Sequence, residues 1–279
     1  GLYARGQMRL ERKYEIPVQA VAVPTDPQSV AEGRRIFQYR GCEACHGEQL
    51  EGLVYMDNPA LGVVITPNLT AGQGGIGAER MDEDLVRAIK HGVRPDGTPL
   101  LFMPSTEFYY LSDDDLGDVI AFIKSVPPVD NVMALSSVSL TGRVIMGLIP
   151  EASFMPAEYL PMDAPRPIPP EPGISVAYGE YLTYSCKVCH GTTMSGGVIP
   201  TFPADYPPAA NLTWGEGSAL PLWTEDDFIH AMRTGQTPGG IELRKTYMPW
   251  TSYRHMSDDE LRAVWVYLQS LLPKAYGNH

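Results

Sequence analysis

The sequence RGCEACHGEQLEG runs from Arg40 to Gly52, and the similar sequence SCKVCHGTTMSGG runs from Ser185 to Gly197. Each contains two cysteines three positions apart, and a histidine directly follows the second cysteine. The 279-residue chain has four cysteines, and all of them lie in these two motifs. No cysteine is left for a disulfide or a catalytic thiol elsewhere, so a disulfide-based scaffold is not expected.

The two motifs belong to an internal repeat that covers most of the sequence. Five pairs of segments keep an offset of 143 to 145 residues between the copies. The pairs are the two motifs themselves, PNLT at 67 with ANLT at 210, DEDLVRAIKHGVRPDG at 82 with EDDFIHAMRTGQTPGG at 225, MPS at 103 with MPW at 248, and LSDDDLGDVIAFIKSVP at 111 with MSDDELRAVWVYLQSLLP at 256. The sequence therefore predicts two copies of one domain of roughly 100 residues.

The domain boundaries follow from the repeat and from the distribution of proline. We expect an N-terminal arm over residues 1–24, a first domain over 25–130, a linker over 131–172 and a second domain over 173–279. Ten prolines fall in the 46 residues from Pro127 to Pro172, and proline interrupts both helices and central strands. We therefore expect a semi-rigid linker, and we expect the basic N-terminal arm to be a solvated tail.

Each copy is predicted to consist of helices joined by long loops. The spacing predicts helices that end at Gly92 and Gly235, because glycine readily adopts the left-handed conformation that terminates many helices. Ser112 and Ser257 are the predicted N-caps of the last helix of each copy, where apolar residues follow at helical spacing. No sustained alternation of apolar and polar residues is present, so we predict an all-α fold.

The charge of the chain limits its partners. Asp and Glu number 33 against 21 Lys and Arg, which gives a formal net charge of −12. Such a charge disfavours nucleic acid as a partner and favours a protein with a basic docking face. The sequence contains no run of eighteen apolar residues, so no transmembrane helix is predicted within it.

Three kinds of site use paired cysteines. A structural zinc site normally takes two cysteine pairs about 12–20 residues apart, whereas these pairs are 144 residues apart in different copies of the repeat. A redox dithiol is expected in a βαβ context, which this sequence does not show. Cysteines at positions i and i+3 lie about one helical turn apart, which suits thioether bonds to the two vinyl groups of one porphyrin.

The residues therefore favour two covalently bound haem c groups, each with the histidine of its motif as an iron ligand. The attaching residues would be Cys42, Cys45 and His46 in the first copy and Cys186, Cys189 and His190 in the second.

With these motifs, the chain from Asp26 to Pro273 resembles a dihaem cytochrome c built of two class I cytochrome c domains. The resemblance rests on the two motifs, the NLT segments, the MPS and MPW turns and the two closing helices. The chain is similar to the periplasmic and membrane-associated cytochrome c subunits of respiratory dehydrogenases. The resemblance implies two tandem all-α domains, each with short helices and long loops wrapped around haem, joined by the proline-rich linker.

The resemblance also implies a methionine ligand opposite each histidine. Met103 and Met248 are the candidates, because each lies nine residues before its helix-capping serine and each precedes a proline. Four other methionines compete for the role, but none has a methionine at the matching place in the other copy. These are Met56, Met81, Met194 and Met232. The alternative is that Met103 and Met248 fill gaps in the core.

In class I cytochromes a Pro-Asn-Leu loop accepts a hydrogen bond from the histidine ligand. Pro67 matches this loop in the first copy, whereas Ala210 replaces the proline in the second. We therefore expect the same bond in both copies, with a less rigid loop in the second.

Histidine and methionine together fill both axial positions of the iron, which favours electron transfer over substrate chemistry. The resemblance therefore implies an electron carrier and not an enzyme. It would relay single electrons from a dehydrogenase or quinol-oxidising complex to a downstream cytochrome, oxidase or reaction centre. A dihaem peroxidase with one open haem is the enzymatic alternative. Because haem c is attached outside the cytoplasm, we expect a periplasmic or outward-facing protein, and a membrane anchor outside these residues stays open.

Overall fold

The computed structural model describes residues 1–149, 154–162, 167–199 and 205–277. The chain divides into two compact units, one made of Gly1–Phe37 with Cys42–Ile168 and the other of Gln38–Gly41 with Pro169–His279. Each unit contains one of the two cysteine motifs.

Helices and loops make up most of both parts of the chain. In the N-terminal part the helices are α1 (Leu2–Leu10), α2 (Pro27–Tyr39), α3 (Glu43–His46), α4 (Asp82–His91), α5 (Ser105–Phe108), α6 (Asp113–Ser125), α7 (Leu140–Leu148) and a 3-10 helix (Pro156–Glu158). In the C-terminal part they are α8 (Val176–Leu182), α9 (Cys186–His190), a 3-10 helix (Leu220–Leu222), α10 (Glu225–Thr234), α11 (Trp250–Tyr253) and α12 (Asp258–Ser270).

The helix ends follow the predicted signals. Gly92 and Gly235 adopt left-handed backbone conformations at the C-termini of α4 and α10. The hydroxyls of Ser112 and Ser257 accept hydrogen bonds from the third residue of α6 and α12, respectively, which satisfies one of the exposed backbone donors at each N-terminus. Both predicted caps are thus confirmed.

The same close helix crossing recurs in each copy. A Cβ atom on Gly33 in α2 would lie 1.8 Å from the carbonyl oxygen of Asp118 in α6. A Cβ atom on Gly179 in α8 would lie 2.0 Å from the carbonyl oxygen of Ala263 in α12. Only glycine permits this contact, which brings the first and last helices of each copy together and fixes the frame in which the cysteine motif sits.

The core of each unit lies along the helix that ends its copy of the repeat, α6 in the first unit and α12 in the second. In the first unit the buried side chains of α6 include Leu116 and Phe122, and the ring of Phe122 meets Phe37 edge to face at 5.4 Å. In the second unit the buried Trp265 of α12 lies 5.6 Å from the ring of Phe228 in α10. These aromatic contacts join the last helix to the helices that precede it.

Helices and loops make up most of the described chain, as predicted, but a small sheet means that the fold is not strictly all-α. The strands β1 (Val54–Asn58), β2 (Gly62–Ile65) and β3 (Ser137–Val138) pair antiparallel in the order β1-β2-β3. The hairpin between β1 and β2 turns at Asn58, whose side-chain oxygen accepts hydrogen bonds from the N–H groups of Ala60 and Leu61. The strands span five, four and two residues, which is too short for a recognisable alternation.

The basic N-terminal arm is not a solvated tail, since its first residues form α1 and pack against α7. A Cβ atom on Gly6 would lie 2.0 Å from the carbonyl oxygen of Arg143, and one on Gly147 would lie equally close to the backbone of α1. Arg9 forms an ion pair with Glu158 at 2.5 Å, and both side chains are mostly buried. The expectation failed because glycine contacts between helices leave no periodic apolar signal.

The segment predicted to be a linker carries α7 and the first 3-10 helix, and it belongs to the first unit up to Ile168. Residues 150–153 and 163–166 of that segment lie outside the described residues, as do 200–204 and 278–279 of the predicted second domain.

Candidate haem-binding sites

Each cysteine motif forms a short helix. Cys42 is the N-cap residue of α3, and its N–H donates a hydrogen bond to the carbonyl of Phe37 at 3.0 Å. In the second motif, the N–H of Cys186 donates to the carbonyl of Thr183 at 3.0 Å as α9 begins. All four cysteine side chains are half-buried. The two thiols of each motif are therefore spaced by about one helical turn, as two bonds to one porphyrin require.

The two motif histidines are buried and held in the same way. The Nδ1 atom of His46 lies 3.3 Å from the carbonyl oxygen of Pro67, and the Nδ1 atom of His190 lies 2.8 Å from that of Ala210. A carbonyl oxygen only accepts hydrogen bonds, so Nδ1 must carry the proton in both rings. The Nε2 atom of each ring then keeps its lone pair for a metal, so these residues fit an axial ligand of haem iron.

Burial lowers the pKa of both imidazoles, because removal from water disfavours the charged form. The hydrogen bonds to the carbonyls of Pro67 and Ala210 oppose this effect only in part. Both histidines therefore favour the neutral form, which is the form that binds a metal.

The loops that supply these carbonyls have the same hydrogen bonds in both units. Asn68 accepts hydrogen bonds from the N–H and hydroxyl of Thr70 at 2.9 and 2.8 Å, and Asn211 does the same with Thr213 at 2.9 and 2.8 Å. The side-chain amide of Asn68 donates to the carbonyl of Val129 at 2.7 Å. In the second unit, the side-chain amide of Asn211 likewise donates to the backbone carbonyl of Lys274 at 2.9 Å. Replacement of proline by Ala210 leaves this hydrogen-bond set intact.

The two methionine turns also share one backbone geometry. The N–H of Ser105 donates to the carbonyl of Met103 at 2.8 Å, and the N–H of Trp250 donates to the carbonyl of Met248 at 2.8 Å. Pro104 and Pro249, which lie between them, have φ of −79° with ψ of 55° and 54°. Both methionines are half-buried. Their pairing with His46 and His190 across a haem stays a prediction.

The surroundings of the two turns differ. The hydroxyl of Ser105 donates to the carbonyl of Ala88 in α4 at 3.0 Å. Trp250, its counterpart in the second unit, uses its indole N–H to donate to the carbonyl of Leu243 at 2.8 Å. The first turn is thus tied to a helix and the second to the preceding loop.

The competing methionines occupy other kinds of position. Met194 is fully buried with φ of 62° and matches Leu50 in the first unit, which has φ of 59°. Met232 is buried on α10 at the place that Ile89 takes on α4. Met81 is 64% exposed at the N-cap of α4, and Met56 lines a small cavity beside Phe102. The first two are therefore core residues.

Two tyrosines near the methionine turns had no signal in the sequence. The hydroxyl of Tyr206 donates to the carbonyl of Thr246 at 3.0 Å, and its ring meets that of Tyr247 edge to face at 4.8 Å. In the first unit, the ring of Tyr55 lies 6.0 Å from that of Phe102, next to Met103. Burial raises the pKa of each phenol, because removal from water disfavours the charged form. Because Tyr55 and Tyr206 do not share the offset of the repeat, the alignment of the copies could not pair them.

The donors also fit haem better than a bare metal ion. Within the part of the chain that the structure describes, no group of three or more His, Cys, Asp or Glu side chains could hold a metal ion. A structural zinc site needs four such ligands, whereas haem iron takes only axial ligands from the protein.

A family model described as Cytochrome c matches residues 30–127 and 176–272. The two matches together cover well over half of the chain, and each includes one cysteine motif. The chain therefore belongs to the cytochrome c family, which confirms the resemblance seen in its sequence.

Several curated proteins are similar to almost the whole chain. The cytochrome c subunit of alcohol dehydrogenase (quinone) from Gluconobacter oxydans (strain 621H) is 29% identical over 282 residues, which cover 90% of this chain and 56% of that protein. The gluconate 2-dehydrogenase cytochrome c subunit of Pantoea cypripedii is 28% identical, covering 87% of this chain and 59% of that protein. The fructose dehydrogenase cytochrome subunit of Gluconobacter japonicus is 24% identical, covering 91% and 56%. The chain thus spans little more than half the length of these relatives.

Membership of the family identifies the cofactor as covalently bound haem c, and the two cysteine pairs, one in each matched region, fit two haems. Among the described residues, no helix is both long enough and apolar enough to cross a membrane.

Proposed function

We propose that this chain is a dihaem electron carrier that relays single electrons from a dehydrogenase or quinol-oxidising complex to a downstream cytochrome, oxidase or reaction centre. Two features support the proposal. The chain carries two copies of one site, and its curated relatives are named as cytochrome subunits of dehydrogenases. In this proposal the chain carries charge and has no substrate chemistry of its own.

In each site we assign two residues to haem attachment and two to the axial positions of the iron. Cys42 and Cys45 would form the thioether bonds of the first haem, and His46 and Met103 would be its axial ligands. The corresponding residues of the second site are Cys186, Cys189, His190 and Met248. When bound, the haem supplies an iron that alternates between the ferrous and ferric states.

One observation carries this assignment, namely the Nδ1–carbonyl contact that both histidines make. It fixes the tautomer and the direction of each ring, so that Nε2 is the atom left to bind iron. A methionine on the other side would exclude water and exogenous ligands from the iron, which leaves electron exchange as the available reaction.

The net charge suggests how partners approach. A formal charge of −12 favours redox proteins with a basic docking face, and transient redox contacts are small and steered by charge. Since haem c is attached outside the cytoplasm, we place the protein in the periplasm or on an outward-facing surface, with association with a membrane-bound partner as part of the proposal.

A redox titration of the purified holoprotein tests the function. We expect two reversible one-electron steps per chain, both at high potentials, since methionine ligation and burial stabilise the ferrous state. A single very low potential, together with consumption of hydrogen peroxide, would instead support a dihaem peroxidase. The matching geometry of the Met103 and Met248 turns favours the carrier.

A further inference from the structure

The connection between α4 and α6, which carries Met103 and is called the first methionine loop, ends at a residue bonded to a buried lysine. Lys90, in the last turn of α4, is only 1% exposed. Its ammonium group donates to the carbonyl of Leu111 at 2.5 Å and lies 3.4 Å from the carboxylate of Asp113. Burial of a lysine is costly unless the charge is hydrogen-bonded and paired, so this arrangement needs both acceptors in place.

The second unit has an arginine at the matching position. Arg233, in the last turn of α10, donates to the carbonyls of Arg254 and Met256, both at 2.6 Å, and contacts the carboxylate of Asp258 at 2.6 Å. Met256 directly precedes the N-cap of α12, as Leu111 directly precedes the N-cap of α6. The two units thus use different cations with two acceptors at matching positions, and Arg233 also bonds to the carbonyl of Arg254.

The residue directly after the cation does not share this likeness. The position after the cation is His91 in the first unit and Thr234 in the second, and the position before it is Ile89 and Met232. A basic side chain and its carbonyl acceptor are thus kept in both copies, although the next residue differs.

The hydrogen bond from the cation to the carbonyl of Leu111 or Met256 ties together the two ends of the segment that carries the methionine, which we call the methionine loop. Met103 lies on the connection from α4 to α6, and Met248 lies on the connection from α10 to α12. Each connection begins at the left-handed Gly92 or Gly235 and ends at the carbonyl that the cation holds. Opening the connection would take from a buried or half-buried cation the carbonyl that it holds at the end of the connection, which opposes displacement of the loop.

We propose that Lys90 and Arg233 are positioning residues, which hold the methionine loops closed so that the sulfurs of Met103 and Met248 stay bound to iron. This inference rests on the proposed function, because it takes the two methionines as axial ligands. Neither cation touches the haem in this account, and each acts through the loop backbone.

The test uses the holoprotein with Lys90→Met and Arg233→Met, which remove the charge but keep an unbranched chain. The readouts are the near-infrared charge-transfer band of ferric haem bound by methionine sulfur, and carbon monoxide binding by the ferrous protein. We expect each variant to lose up to about half of the band per chain and to bind carbon monoxide at one haem, because each methionine loop supplies a ligand to one iron. The exchanges Lys90→Arg and Arg233→Lys should keep the band and exclude carbon monoxide.

Arg262→Met is the matched control. Arg262 of α12 also pairs with two carboxylates, Asp259 at 2.8 Å and Glu225 at 3.4 Å, but these belong to α12 itself and to the start of α10. The control should leave both readouts unchanged. Equal losses in Arg262→Met and Arg233→Met would mean a general loss of stability and would overturn the proposal.

The outcomes separate this inference from the function on which it rests. If the wild-type protein lacks the band, the assignment of Met103 and Met248 as ligands is wrong. If the wild-type protein has the band and both charge-removing variants keep all of it, the carrier function stands and the positioning role is wrong. Should Lys90→Met fail to fold, Arg233→Met decides, because the Arg233 side chain is 29% exposed and its removal leaves no sealed cavity.

Discussion

One backbone carbonyl sets the direction of each proposed histidine ligand. The carbonyls of Pro67 and Ala210 accept hydrogen bonds from Nδ1 of His46 and His190, and both loops share the same hydrogen bonds between asparagine and threonine. Proline is therefore not needed for the bond, because the side chain of Asn68 or Asn211 already shapes the loop. The histidines and cysteines could be predicted from sequence, since their spacing is itself the chemical requirement.

Removal of one methionine should open one haem. In Met248→Ala we expect the reduced protein to bind carbon monoxide at the second haem alone, and in Met103→Ala at the first alone, because each loop belongs to a different unit. Carbon monoxide titration with visible spectra measures the number of open haems per chain. Met232→Leu, at a buried position on α10, is the control and should bind none. Equal spectral changes at both haems in either alanine variant would contradict the two-site assignment.

The positions of Lys90 and Arg233 show why part of the site escaped prediction. A basic residue in the last turn of a helix normally interacts with water and the helix dipole, and nothing local to the sequence distinguishes a buried one. Only the fold brings the carbonyl of Leu111 to Lys90 and that of Met256 to Arg233.

Among the elements, the crossing of the first and last helices of each copy depends most on one residue type. Gly33 and Gly179 permit backbone contact at places where any side chain would collide with a carbonyl. The helix boundaries were predictable from caps and glycines, because those signals are local. The crossing was not, since glycine in a helix interior signals nothing about its partner. The small sheet could not be predicted either, because its short strands are stabilised by pairing with one another and show no alternating pattern in the sequence.

We expect Gly179→Ala to lower the free energy of unfolding of the second unit by about 1–3 kcal/mol, because the added methyl group would lie 2.0 Å from the carbonyl oxygen of Ala263. Chemical denaturation followed by haem absorbance measures the change. Gly239→Ala is the control, since a Cβ atom there would meet only the Thr237 hydroxyl at 4.0 Å. Equal stability of the two variants would show that the crossing in the structure is wrong.

At the scale of the whole molecule, we propose that charge guides the approach of redox partners. The formal net charge of −12 comes from the sequence, and it predicts steering towards a basic surface without fixing where docking occurs. The domain count could also be predicted, because the repeat preserves its offset across the chain. The packing of α1 on α7 could not, since it involves residues about 140 positions apart, Gly6 and Gly147 among them.

Electron transfer to a small basic cytochrome should slow as salt is added. Raising the ionic strength from about 0.01 M to about 0.15 M shortens the Debye length from roughly 30 Å to 8 Å, and we expect the second-order rate constant to fall by about tenfold. Stopped-flow mixing measures the rate. An acidic acceptor serves as the control and should react faster with added salt. A rate with the basic cytochrome that does not change with salt would exclude charge-steered docking.

The most direct test of the account is exposure of the fully reduced wild-type holoprotein to carbon monoxide. If each iron is bound by an imidazole on one side and by a thioether sulfur on the other, the visible spectrum should not change at saturating carbon monoxide. Binding at even one haem per chain would contradict the claim that the chain supplies both axial ligands of each iron.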